Sequence, residues 1–147
     1  MMFSCKVEIN KPVQKVVELF DNPDNLKKWQ DGFTSYEHLS GAPGTPGAKS
    51  KLVYNNRNHV IELTETIISK NLPSEMNALY EHTHMSNTMR TRFEDLGDNK
   101  TSYEMIVDNI KFHKLMARVM FRLNPGMFRK QSQKWMDNFK AFVENEQ

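Results

Sequence analysis

The sequence is poor in several things, and each shortage removes a class of protein. One cysteine, Cys5, in 147 residues excludes an internal disulfide framework and a cysteine-built zinc site, and suits a reducing compartment such as the cytoplasm. No apolar run approaches the roughly 18 residues that a membrane-spanning helix takes. The opening MMFSCKVEIN alternates with polar residues and lacks the apolar centre of a secretory signal. A dominant charge is missing too: 20 Lys+Arg against 18 Asp+Glu leave +2, no field that would by itself draw nucleic acid. Glycine and proline cluster only at Gly41-Ala42-Pro43-Gly44-Thr45-Pro46-Gly47, which is one loop and not a linker. A single domain over residues 1–147 is the expectation.

What is present in excess is methionine and phenylalanine, 10 and 9 residues, the diet of a soft, adaptable apolar interior. The order of periods predicts the fold. Met2 to Ile9 alternates as a strand, and Asn10-Lys11-Pro12 reads as a helix start with Asn10 as N-cap. Val13, Val16, Val17 and Phe20 then recur at helical spacing, and a second short helix spans Asp24 to Trp29. Six strands are predicted next: Phe33 to Leu39, Ala48 to Tyr54, His59 to Ser69, Glu75 to His84, Thr88 to Leu96 and Thr101 to Ile110. Turns are expected at Asn55 to Asn58, Asn71 to Ser74, Ser86-Asn87 and Gly97 to Asn99. Helical spacing returns after Phe112, breaks at Asn124-Pro125-Gly126, and runs on to about Glu144, with Trp135 and Phe139 turned toward the sheet. This order implies an α+β fold, a bent antiparallel sheet of about seven strands around a long C-terminal helix, with two short helices between strands 1 and 2.

Face arithmetic locates the chemistry. Pairing about Leu72-Pro73 sets Glu65 opposite Tyr80 and diagonal to His82, with Ile61, Leu63, Ile67, Met76, Ala78 and His84 on the same side. Tyr54, His59, Met89, Thr91, Phe93, Tyr103 and Met105 join them. So many polar groups on one apolar face must pair with each other, hold water or meet a ligand, because an unpartnered buried polar group costs about 1–3 kcal/mol. His59, His82 and His84 raise the question of zinc; with no second set of partners legible around them, no metal and no cofactor is expected. Cys5 reads as a small core residue. Glu65 with Tyr80 or His82 has the composition of an acid–base pair, since burial raises a carboxyl toward a useful range.

From Lys111 to Lys140 the cations Lys111, Lys114, Arg118, Arg122, Arg129, Lys130, Lys134 and Lys140 face only Asp137. Leu115, Met116, Val119, Met120, Phe121 and Leu123 lie among them. Such a run is either the solvated face of a packed helix or one that touches an anionic membrane surface transiently. Exposed aromatic residues interleaved with the basic groups, as in nucleic-acid binders, are not evident, so no nucleic-acid partner is expected.

Four segments carry a resemblance: INKPVQKVVELFDNPDNLKKW of Ile9 to Trp29, GAPGTPGAK of Gly41 to Lys49, ELTETI of Glu62 to Ile67, and FRKQSQKWMDNFKAFVE of Phe128 to Glu144. On these the chain resembles the START-like, or SRPBCC, superfamily, the helix-grip proteins that include lipid-transfer domains, polyketide cyclases and the birch-pollen allergen. The resemblance spans essentially the whole chain. It implies a hydrophobic cavity between the sheet and the last helix, and it carries no uniform catalytic set onto these residues.

The expected function is therefore binding or transport of a lipid, isoprenoid or polyketide-like molecule by a monomer or homodimer. Trp29, Tyr54, Phe93, Met105, Met116, Met120, Trp135 and Phe139 would form apolar walls. Tyr54, Glu65, Tyr80, His82 and Tyr103 would orient its polar groups, and His59 and Thr91 would also line the site. The alternative is a cyclase- or dehydratase-type enzyme using Glu65 with His82 or Tyr80. A third reading is a regulatory protein that acts through a sheet edge or the basic helix.

Overall fold

The computed structural model describes residues 2–147. Strand β1 (Phe3–Ile9) pairs antiparallel with the last strand, β7 (Lys100–Phe112), Val7 opposite Tyr103 and Phe3 opposite Val107. Between β1 and β2 (Phe33–Ser40) lie helices α1 (Val13–Phe20) and α2 (Leu26–Trp29), the latter entered through a 3-10 turn at Pro23–Asn25. Asn22 caps that turn by accepting the Asp24 N–H. α1 departs from expectation at its start. Pro12, extended at φ −65° and ψ 149°, is the N-cap residue, and its carbonyl accepts from Lys15 and Val16. Asn10 instead donates its backbone N–H to the Glu144 carboxylate at 3.0 Å, tying the end of β1 to the C-terminal helix. The fixed φ of proline makes it the turning point, so no side-chain cap is used.

The remaining strands, β3 (Lys49–Asn56), β4 (His59–Asn71), β5 (Glu75–Glu81) and β6 (Met85–Gly97), complete one antiparallel sheet in the order β1-β7-β6-β5-β4-β3-β2. Two hairpins close on two-residue loops whose φ values are all positive: Arg57-Asn58 and Asp98-Asn99. That geometry matches the right-handed twist of the flanking strands.

Two details of register differ from the sequence expectation. β5 ends at Glu81, opposite Ser86, so the turn lies at His82–His84 and Ser86-Asn87 belong to β6. Met89 therefore faces Ala78, and Thr91 faces Met76. The displacement is six residues along the partner, an even number, so every side chain still within a strand keeps its predicted face while the individual pairs change, and only His82 and His84 leave the sheet face for the turn. In the β4–β5 hairpin, Asn71 pairs with Glu75 and a bulge at Ile68 restores the register, leaving Glu65 opposite Tyr80 as expected. The same bulge turns Lys70, opposite Met76, toward the concave side.

Helices α3 (Leu115–Leu123) and α4 (Met127–Asn145) end the chain, with Asn124-Pro125-Gly126 between them. α4 lies closest to β1 and α2. Its Met136, Phe139 and Val143 are buried with Cys5, Ile9, Val16, Trp29, Phe93, Tyr103, Met105 and Val107 in the main core. Phe139 sits at the centre, edge-on to Trp29 at 5.1 Å, Tyr103 at 5.5 Å and Phe20 at 5.9 Å. Edge-to-face contact of this kind adds to the stabilisation from burial.

Candidate functional site

The core occupies the β1, β7 and β6 half of the concave face. The β3, β4 and β5 half is packed differently. Leu52, Tyr54, Ile67 and Ala78 are buried there, outside the main cluster. Leu63, Glu65 and Tyr80 are only half-buried there, as are Met89 of β6 and Trp135 of α4 where they border the main core; all but Trp135 project from the sheet's inner side. Phe139 and Tyr103, by contrast, are 0% and 2% exposed. Accessible apolar and polar groups thus sit together on this half of the concave face.

Its polar centre is a pair. The Tyr80 hydroxyl donates to Glu65 Oε2 at 2.7 Å. Burial raises the Glu65 carboxyl above the usual carboxylate range, while the Tyr80 hydrogen bond and the positive Lys70 pull it back down. Tyr80 is held well above the ordinary phenol value, by burial and then by the Glu65 charge, so it remains an O–H donor. On the neighbouring strand Tyr54 is raised by burial and by Glu65, donates to Gln30 Oε1 at 2.7 Å, and stacks on Trp135 with ring centres 5.4 Å apart. The buried Trp135 indole N–H meets no acceptor among the described residues. Lys70 is itself anchored to Asp21 at the end of α1, at 2.7 Å.

The same fold is found in solved structures. The Zhui aromatase/cyclase from Streptomyces sp. R1128 superposes with a TM-score of 0.80 at 12% identity, covering 98% of this chain and 93% of that one. A START superfamily protein from Mycobacterium smegmatis gives 0.75 at 14%, covering 97% of each chain. Ara h 8.0201 gives 0.71 at 12%, covering 99% of each. The chain has the START-like helix-grip fold. No family model matches its sequence, and no curated protein does.

Within this helix-grip chain the predicted site residues separate into groups. Glu65, Tyr80, Tyr54 and Trp135 lie on the open half of the concave face. Trp29, Thr91, Phe93, Tyr103, Met105 and Phe139 are buried, at most 6% exposed, and all but Thr91 belong to the packed core. His82 lies in the β5–β6 turn, where its Nδ1 accepts the His84 N–H and its ring stands 5.8 Å from that of His84. It makes no hydrogen bond to Glu65. Burial lowers the His82 imidazole, helped by His84 and His113. His59 is exposed beside the Arg57-Asn58 turn. No group of three His, Cys, Asp or Glu side chains among the described residues could hold a metal ion. Met116 and Met120 are 74% and 53% exposed, pointing away from the interior.

Gln30 and Lys70 were not legible as site residues. Gln30 reaches Tyr54 only because α2 packs over the sheet, and Lys70 faces inward only because of the Ile68 bulge. Two grooves, of about 270 and 300 Å³, lie elsewhere, one along Lys6, Arg92 and Glu104 and the other along Val13, Val17 and Pro73. Neither is lined by Glu65, Tyr80, Tyr54 or Trp135. No helix among the described residues is long and apolar enough to cross a membrane.

Proposed function

We propose that this chain binds a hydrophobic or amphipathic small molecule, of lipid, isoprenoid or polyketide-like chemistry, against the concave face between the sheet and α4. The observation that carries the reading is the Glu65–Tyr80 pair on the open half of that face. The Glu65 carboxyl, raised by burial, and the Tyr80 oxygen, whose proton goes to Glu65, offer acceptors to a ligand hydroxyl, and Tyr54, Leu63, Met89 and Trp135 supply apolar surface around them. The likeness in fold to a START superfamily protein and an aromatase/cyclase supports the ligand class. The single buried thiol of Cys5 fits a cytoplasmic setting.

Native mass spectrometry of protein purified from its own host tests this, with titration by fluorescent fatty acids and apolar dyes. A copurifying apolar mass, or saturable probe binding altered by Glu65→Gln, is the expected result. Absence of both overturns the reading.

The Glu65–Tyr80 geometry also favours a second reading, a cyclase- or dehydratase-type enzyme. The Glu65 carboxylate would take a proton from the carbon beside a ligand carbonyl, whose oxygen accepts the electron pair as the Tyr80 O–H turns to it from the now neutral Glu65. The same proton, returned to a β-hydroxyl, releases water. Unchanged turnover of a candidate β-hydroxy ketone in both Glu65→Gln and Tyr80→Phe would remove this pair from any mechanism.

A further inference from the structure

Helix α3 is built inside out. None of its residues is buried, and only Ala117 and Phe121 are half-buried, the latter stacked on Phe128 at 5.6 Å and tilted against Phe112 at 5.2 Å. At 100° per residue those two lie together, and the opposite arc holds Leu115, Met116, Val119, Met120 and Leu123. These five are 74%, 74%, 45%, 53% and 81% exposed. A solvated helix puts polar groups outward; here the outward arc is continuous hydrocarbon. Lys114, Arg118 and Arg122 fall side by side along one border of that arc.

The charge around it has one sign. From Lys111 to Met136 the chain contains seven lysines and arginines and no acid. Six of the seven form no ion pair among the described residues; only Lys134 does, with Asp31. An apolar arc bordered by uncompensated cations complements a surface that is anionic at its rim and hydrocarbon beneath. A second copy of the chain fits less well, since an isologous contact through α3 would bring like charges together with no acid to answer them.

We propose that α3 is a membrane-docking element that lies in the headgroup region of an anionic bilayer, its Leu115, Met116, Val119, Met120 and Leu123 arc entering the acyl boundary. Lys114, Arg118 and Arg122 contact lipid phosphates and carboxylates. The inference is independent of what the concave face binds, because α3 takes no part in the Glu65–Tyr80 pair.

Cosedimentation of the full chain with phosphatidylcholine vesicles, with and without phosphatidylserine, tests it. Binding to the phosphatidylserine vesicles should exceed that to phosphatidylcholine alone by about tenfold at low salt and should weaken as salt rises. Two variants separate the contributions: Met116→Ser with Leu123→Ser removes the hydrocarbon, and Arg118→Glu with Arg122→Glu reverses the charge. All four side chains are exposed, so both variants should melt as the parent does, and both should lose most of the vesicle binding. No preference for the anionic vesicles, or a preference that survives in both variants, overturns the proposal. So does a parental dimer, seen by sedimentation velocity without lipid, that the Met116→Ser, Leu123→Ser variant abolishes, because the arc would then be covered by a second copy.

Discussion

The Tyr80 hydroxyl and the Glu65 carboxylate meet at 2.7 Å across directly opposed positions of β5 and β4. Neither residue is drawn there by a loop or a helix. Opposite placement on adjacent strands brings Cβ atoms within about 5 Å, and two long side chains then close the remaining distance. The pair is therefore as rigid as the sheet that carries it, which suits the ligand-orienting role proposed for it.

Glu65 should set a pH dependence of stability. Burial raises its carboxyl in the native state, so the native chain binds its proton more tightly than the unfolded chain does. Its contribution is fully present below the ordinary carboxylate range and is lost as pH rises through the raised native value. Glu65→Gln, a fixed mimic of the protonated form, should unfold later than the parent at about pH 8 and no later at about pH 4. Chemical denaturation at both pH values measures the difference.

Tyr80→Phe removes the hydrogen bond that lowers the Glu65 carboxyl, so that carboxyl should titrate at still higher pH. Loss of a charge-assisted bond in this half-buried setting should cost about 1–3 kcal/mol when Glu65 is ionised, and less when it is protonated. Carbon-13 NMR of the Glu65 side chain reports the titration, and urea melts report the cost.

Phe139→Ala should cost about 3–5 kcal/mol, because the ring is 0% exposed and touches aromatic neighbours from α1, α2 and β7 that cannot all close on the cavity. Equilibrium urea unfolding checks the magnitude. Trp135→Leu, by contrast, should leave the main core standing and alter probe binding at the concave face.

His82→Ala should change probe binding by no more than roughly twofold, since His82 lies in a turn and makes no bond to Glu65. Its acid behaviour is a separate matter. A base lowered by burial contributes stability that is full above the ordinary imidazole value and is lost as pH falls through the lowered native one. The variant should therefore lose less stability than the parent as pH falls below about 6, measured by thermal melts across the range.

The β5–β6 hairpin shows how sequence can be right about faces and wrong about pairs. Ser86-Asn87 has turn composition, but the chain reverses at His82–His84, where the His82 N–H bonds the Met85 carbonyl. Because the slip is even, Met89, Thr91 and Phe93 still face inward. Only His82 and His84 lose their predicted places on the sheet face. Alternation carries parity, and parity cannot say which of two nearby turns closes the hairpin. For α3 the stripe itself was legible, but which arc of the helix met the protein was not. Phe121 anchors it, against Phe112 at the end of β7 and Phe128 at the start of α4.

The sequence by itself determined the strand and helix order, the inward residues along the middle of strands β3 to β7, and the opposition of Glu65 and Tyr80, because all three follow from local periods of two and 3.6 residues and from turn chemistry. Tertiary structure alone decided that Trp29, Phe93, Tyr103 and Phe139 fill half of the concave face, that a bulge turns Lys70 inward, and that Met116 and Met120 face solvent. Those outcomes depend on where α2, α3 and α4 come to rest on the sheet. That placement is a competition among whole apolar surfaces for burial, which no single segment encodes.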